Sequence, residues 1–460
     1  MIDWNILVSQ IATVAFDIVY FGAIISTIVV IILDNRNPVK TMAWILILLF
    51  LPIVGLVFYF FFGRSQRRER IIGQKSYDRL LKKPMAEYMA QDCSDVPEEY
   101  ARLIQLFQHT NQAFPFEGNR IAVYTEGYTK LQSLLRELQK AKQHIHIEYY
   151  IFEDDAIGRL VRDVLIEKAS QGVEVRVIYD DVGCWHVPNR FFEEMRNAGI
   201  EVRSFLKVRF PLFTSRVNYR NHRKIVVIDG RIGFVGGMNL AERYMRGFSW
   251  GIWRDTHILI EGKAVHGLQT AFLLDWYFVD RTLITASRYF PKIESCGSSL
   301  VQVVTSEPIG PWKEIMQGLT MAINGAKKYF YMQTPYFLPT EQVLAAMQTA
   351  ALAGVDVRLM LPERADNRIT HLGSHSYLAD VMVSDDMLST VGSTNVDFRS
   401  FEHNFEVNAF MYDVETALEM KEIFLQDQRE STQIFLKNWV KRSWRRRAAE
   451  SVVRLLAPLL

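Results

Sequence analysis

A histidine and a lysine two residues apart, His222 and Lys224, head the pattern His-x-Lys-x4-Asp-x6-Gly-x2-Asn, which runs on through Asp229, Gly236 and Asn239. Side chains two apart on a strand share a face, so an imidazole and an ammonium can converge there on one phosphate. A neutral imidazole can attack phosphorus and hold it covalently. The ammonium stabilises the equatorial oxygens, and a carboxylate fixes the histidine tautomer. Asp229 is the expected carboxylate. Gly236 and Gly237 would let backbone approach a substrate closely, and Asn239 offers an amide to phosphate or to a catalytic group. A bare His-x-Lys more often marks a solvated strand edge. This one is distinguished by a second copy of its tail at Asp385, Gly392, Ser393 and Asn395, with seven residues from Asp to Gly and three from Gly to Asn in both.

The chain around the motifs repeats as well. A helix end running into an alternating strand at residues 141–150 recurs at 326–336. Each is followed by a helix and a second strand, Gly172-Val173-Glu174-Val175 in one copy and Gly354-Val355-Asp356-Val357 in the other. Tandem βαβ-like units imply an α/β fold with internal pseudo-twofold symmetry. The expected boundaries are 116–295 for the first lobe and 296–460 for the second, with a charged, helix-prone linker over 64–115. The net charge of +2 excludes a globally basic nucleic-acid binder but leaves local basic patches open. Cys93, Cys184 and Cys296 are odd in number and lack Cys-x-x-Cys spacing, so they indicate no zinc site, redox pair or disulfide framework.

Residues 42–62 form a run of 21 without a charge, long enough to cross a bilayer core. Residues 6–33 are nearly as apolar, although Asp17 would cost about 2.5–3.5 kcal/mol at mid-bilayer. A short connector holding Arg36 and Lys40 joins the two runs, so residues 1–63 are expected to form a transmembrane hairpin. Arg64, Arg67, Arg68 and Arg70 follow it, and this cluster places the remainder of the chain on the cytoplasmic side.

The extended pattern with its second copy is the signature of the phospholipase D superfamily. Further segments resemble bacterial cardiolipin synthases nearly end to end, among them Glu148-Tyr149-Tyr150, Trp253-Arg254-Asp255-Thr256-His257, Gln333-Thr334-Pro335-Tyr336-Phe337 and Asn395-Val396-Asp397-Phe398-Arg399-Ser400. That resemblance implies two phospholipase D-like lobes, each a mixed sheet flanked by helices, behind an N-terminal two-helix hairpin in the bacterial inner membrane. It implies phosphatidyl transfer between two phosphatidylglycerol molecules, giving cardiolipin and glycerol through a phosphatidyl-histidine on His222, with no metal or other cofactor. Lys224, Asp229 and Asp385 complete the catalytic set it implies, and Gly236, Asn239, Ser393 and Asn395 the substrate contacts. The partners are anionic membrane lipids, not nucleic acid; the oligomeric state is left open.

One departure stands out. Counting back from Asp385, the second motif should carry His and Lys at positions occupied by Leu378 and Asp380. From Gly172 to His222 is 50 residues, whereas from Gly354 to Leu378 is 24, so a stretch of roughly 20 residues or more is missing from the second lobe. Leucine has no proton to give, and an aspartate repels phosphate. His375 is the nearest alternative, in a segment matching a helix of the family. The chain is therefore expected to be weak or inactive, with a lipid-binding pseudoenzyme or a hydrolase as rival readings. Elsewhere, His144 and His146 read as structural. The Trp253–His257 segment reads as a brace, with a polar network at the cleft as the other option. An apolar loop at 208–213 is either a lipid-entry lip or core packing. The Trp- and Arg-rich C-terminus is either an interfacial helix or a solvated one.

Overall fold

The computed structural model describes residues 4–33, 38–59, 97–207, 219–249, 251–308, 310, 312–364, 370–372, 374, 385–439 and 441–456. The 208–213 loop, Cys93, His375, Leu378, Asp380 and the residues just before Asp385 lie outside them. The chain divides into two units, the N-terminal helices and a large α/β body.

In the first unit, a single helix runs from Trp4 to Leu33, and its 24-residue, predominantly apolar stretch Gln10–Leu33 carries no charge apart from Asp17. At 1.5 Å per residue that stretch spans about 36 Å, enough for a hydrocarbon core of about 30 Å. The second arm differs from expectation. It forms a helix over Pro38–Phe50 and a separate one over Pro52–Phe58, because Pro52 cannot continue the hydrogen-bond ladder and instead opens a new helix. The longer piece covers only about 20 Å. Thus the arm interrupted by Asp17 is the one of membrane-spanning length. The arms pack through Ile31, Leu48 and Tyr59, with the Trp44 and Tyr59 rings 5.4 Å apart.

In the second unit, the first lobe contributes β1 (Pro115–Tyr124), β2 (His144–Tyr149), β3 (Glu174–Asp180), β4 (Glu201–Phe205), β5 (Arg220–Asn221), β6 (Lys224–Ile228), β7 (Ile232–Gly236) and β8 (His257–Glu261). The second contributes β9 (Ser299–Ser306), β10 (Tyr329–Gln333), β11 (Phe337–Leu338), β12 (Asp356–Met360), β13 (Ser389–Gly392), β14 (Val396–Asp397) and β15 (Asn404–Met411). One sheet runs through both lobes in the order β13-β15-β9-β1-β8-β7-β6-β2-β3-β4, and β5 pairs with β15 at its side. β1 joins the lobes by pairing with β8 on one edge and β9 on the other.

β6 shows why the sheet must be covered twice. All five of its residues are buried, as in strands with helices on both faces. Ile225 and Val227 pack with Leu268, Phe272 and Trp276 of the helix Val265–Asp280. Val226 and Ile228 face Leu134, Leu138 and Leu165 of the helices Gly127–Lys140 and Ala156–Ser170. The helix Ala101–Asn111, within the stretch expected to be linker, packs into the second lobe, its Phe107 ring 4.7 Å from that of Phe410.

The lobes part where the sequence is short. In the first, β6 sits between β7 and the parallel pair β2-β3. In the second, the equivalent parallel pair β10-β12 forms a sheet of its own among the described residues. The residues before Asp385, where the first-lobe pattern puts the connecting strand, lie outside the described residues.

Candidate active site

β5 and β6 are separated by His222 and Arg223, so the histidine sits at a break in the strand rather than within it. The break is held from the other lobe. β5 lies parallel to β15, with Asn404 opposite Arg220 and Phe405 opposite Asn221, and the His222 N–H donates to the Phe405 carbonyl at 3.0 Å. Between the lobes, Arg223 Nε donates to the Glu406 carbonyl at 3.1 Å, and its guanidinium pairs with Asp275 in full burial.

The imidazole Nδ1 lies 3.1 and 3.2 Å from the two carboxylate oxygens of Glu406 and 2.9 Å from the Ser393 carbonyl. All three are acceptors, so they place the proton on Nδ1 and leave Nε2 with its lone pair. Glu406 is fully buried. Burial alone would push its carboxyl pKa up, but His222 and Lys224 hold it below the usual carboxylate value. Ser393 Oγ and Asn404 Nδ2 also donate to it, which holds the carboxylate in position.

Lys224 completes the group. Its Nζ donates to the His222 carbonyl at 2.5 Å and lies 5.5 Å above the Tyr150 ring, which itself packs 5.0 Å from the imidazole. Burial lowers its pKa to about 7, against the opposing pull of Glu406, Asp255 and Asp180. An imidazole with a free Nε2 beside such an ammonium can bind a phosphodiester and attack its phosphorus.

Asp229 does not take part in this contact. Six residues, five of them in β6, separate it from the histidine, roughly 20 Å of extended chain, and its carboxylate accepts the N–H groups of Lys142, Gln143 and His144 at 2.8, 2.8 and 2.9 Å. Asp385 does the same in the second lobe, accepting from Lys327, Lys328 and Tyr329, the last two at 2.7 and 2.8 Å. Both sit at positive φ, 52° and 44°, a conformation aspartate tolerates better than most residues. The two aspartates cap the starts of β2 and β10, and the tautomer partner is Glu406.

The other expected contacts are also internal. An added Cβ on Gly236 would come within 2.5 Å of the His257 Cα, and one on Gly237 within 2.1 Å of Asp255 Oδ1, so protein rather than substrate occupies the room they leave. Asn239 is buried, its Oδ1 accepting from the Ile151 N–H at 3.0 Å and its Nδ2 donating to the Tyr244 hydroxyl at 2.6 Å. Ser393 reaches the site through Glu406, and Asn395 is half-buried just ahead of β14. His144 and His146 share Gln269 in the core, with burial lowering both pKa values.

Two carboxylates escaped the sequence reading. In the β13-β15 hairpin Gly392 faces Asn408, and in the β7-β8 hairpin Gly236 faces His257. Glu406 and Asp255 each stand two residues before the second partner. Asp255 accepts from the Thr256 N–H at 2.7 Å, and burial raises its pKa. It thus occupies the twofold counterpart of Glu406, the place from which a second-lobe histidine would be held, and among the described residues no imidazole is bonded to it. An acidic residue in or just ahead of the strand after each Gly-x-x-Asn was the available signal. The unequal intervals, 19 residues from Gly236 and 14 from Gly392, concealed it.

A continuous sheet shared by two related lobes, with a histidine from one braced by a carboxylate from the other, defines a phospholipase D-like protein. The phosphatidylserine synthase of Haemophilus influenzae has this fold: it superposes at a TM-score of 0.57 over 78% of this chain and 98% of its own, at 13% identity. The family described as "Cardiolipin synthase, PLD-like domain" matches residues 134–274 and 319–428, and the phospholipase D-nuclease N-terminal family matches 22–64. A cardiolipin synthase of Geobacillus kaustophilus is 39% identical over 97% of this chain and 94% of its own. The major cardiolipin synthase ClsA of Bacillus subtilis is 35% identical over 98% of this chain and all of its own. The chain belongs to the cardiolipin synthase family of phosphatidyltransferases.

Proposed function

We propose that the chain is a cardiolipin synthase-type phosphatidyltransferase of the bacterial inner membrane that keeps its histidine nucleophile but is impaired in turnover. The observation that carries this reading is His222 held at Nδ1 by Glu406, with Nε2 left to attack beside Lys224. Nε2 bonds to the phosphorus of phosphatidylglycerol while the bond to the headgroup glycerol oxygen breaks, and that oxygen takes up a proton. The primary hydroxyl of a second phosphatidylglycerol then attacks the phosphorus, loses its proton, and the P–N bond breaks to release cardiolipin.

Each step needs a proton carrier opposite His222, a contribution of about 10²–10⁴ in rate. Leu378 and Asp380 stand where the family motif puts its second histidine and lysine. Two further observations agree with a shortened second lobe. The alignment with the Bacillus subtilis relative runs 482 positions, 22 more than the chain's 460 residues. The second match to the family domain is also 31 residues shorter than the first, as 319–428 against 134–274. The same shortfall favours a second reading, a pseudoenzyme that binds phosphatidylglycerol without turning it over.

Expression in a bacterial host devoid of cardiolipin, with lipids measured by mass spectrometry, separates the readings. The expected result is low cardiolipin output, absent in His222→Ala and raised about 10²–10⁴-fold when the relative's missing stretch is grafted in. Trapping with labelled phosphatidylglycerol should place the label on His222; no adduct even in the grafted chain would overturn the transferase reading.

A further inference from the structure

The C-terminal segment takes no part in the chemistry above, and it is built with its charges reversed relative to a soluble helix. Between residues 437 and 460 the sequence holds seven cations and one carboxylate in a chain of net charge +2, so the remainder of the protein is net negative. That carboxylate, Glu450, is turned inward. It is 2% exposed and accepts from Arg442 Nη2 at 2.8 Å and Arg446 Nε at 3.0 Å, with the Arg442 guanidinium 3.8 Å above the Trp439 ring.

The other side of the helix Trp444–Leu456 is apolar and faces out. Trp444, Ala448 and Val452, spaced four apart, form one stripe; Trp444 is 74% and Val452 59% exposed. At 100° per residue, the exposed Arg445 and Arg447 flank that stripe on its two sides. A helix on a soluble body turns its apolar stripe to the core and its charges to water. Here Glu450 is buried beneath its arginine partners, while an apolar stripe between cations is presented to the surroundings. A tryptophan and a valine between arginines match the boundary between headgroups and acyl chains, where interfacial helices bury their apolar face by about 5–10 Å. The apolar helix Trp4–Leu33 brings the chain to a bilayer in any case.

We propose that the helix Trp444–Leu456 lies on an anionic bilayer surface, with Trp444 and Val452 at the acyl boundary and Arg445 and Arg447 on lipid phosphates. The proposal rests on the membrane placement and not on the chemistry of His222, so a catalytically dead chain tests it equally well.

The full chain is reconstituted in nanodiscs of phosphatidylcholine alone or of an equal mixture with phosphatidylglycerol, and amide exchange is followed over residues 444–456. Since the N-terminal helix holds the protein in both discs, the difference reads the C-terminal contact alone. Protection is expected in the anionic discs only, weakened by salt, and reduced at least about tenfold in the double variant R445E/R447E, since each cation near such a surface is worth about fivefold. Exchange within Ser299–Ser306 monitors whether the variant is folded. Should it not fold, quenching by brominated phospholipid is compared between the unaltered chain and Trp444→Phe, and a lost quenching component supports the contact. Equal exchange in both discs, protection that survives charge reversal, or quenching unchanged by Trp444→Phe overturns it. Protection independent of lipid type would instead point to a protein partner and equally sinks the proposal.

Discussion

The proton on Nδ1 of His222 decides which ring nitrogen can attack phosphorus, and Glu406 decides where that proton sits. Glu406→Gln keeps the shape but lets the amide donate to Nδ1, favouring the tautomer with Nε2 blocked. The expected loss is roughly 10–100-fold in the rate of adduct formation, as for other residues that orient a reactive histidine, read by trapping with labelled lipid while the thermal unfolding midpoint stays within a few degrees. Lys224 sets the pH behaviour. Its pKa, lowered to about 7 by burial against the opposing pull of Glu406, Asp255 and Asp180, leaves the ammonium charged below that value and neutral above it. Phosphate binding needs the charge, so the rate at low lipid concentration should fall as pH rises through about 7. In Lys224→Arg that fall should disappear, because guanidinium stays charged throughout the range. A profile unchanged by the arginine would assign the titration elsewhere.

At the scale of elements, the motif aspartates belong to the sheet rather than to the reaction. Asp229 ties the turn after β6 to the start of β2 through three N–H groups, and Asp385 does the same before β10. Asp229→Ala removes those acceptors at a left-handed backbone position, where alanine is also disfavoured. The expected cost is about 1–3 kcal/mol of unfolding free energy, measured by denaturant titration of the full chain in detergent. Adduct formation per folded molecule should be unchanged, and a selective loss of chemistry with normal stability would return the aspartate to the active site. Helix and strand identities follow from local pattern: β6 reads as a buried strand from Lys224-Ile225-Val226-Val227-Ile228 alone. The break at His222 does not, because it is imposed by the pairing of β5 with β15, some 180 residues away in the chain.

For the molecule as a whole, the charge pattern carries a topology prediction. The arginines from Arg64 to Arg70 predict a cytoplasmic catalytic body if both N-terminal arms cross the bilayer. Cysteine introduced at Asn35, in the connector between the arms, should then react with a membrane-impermeant maleimide in intact spheroplasts, whereas one at the exposed Ser431 should react only after the inner membrane is opened. The decisive outcome is labelling of position 35 in intact spheroplasts with Ser431→Cys protected. Labelling of both, or of Ser431→Cys alone, would contradict the hairpin. The break at Pro52 makes this a real test, since neither piece of the second arm spans a bilayer alone.

The sequence by itself determined the chemistry on offer, the two-lobed α/β plan and the departure of Leu378 and Asp380 from the second His-x-Lys pattern, because these depend on residue type, short-range periodicity and counting along the chain. Only the tertiary structure decided which carboxylate serves His222, that Asp229 and Asp385 are caps, that the glycine clearance is filled by Asp255 and that the C-terminal carboxylate faces inward. The physical reason is the same in each case. A hydrogen bond between Nδ1 of His222 and Glu406 joins residues 184 positions apart, and no local pattern records which of many acidic side chains a folded sheet will bring within 3.1 Å.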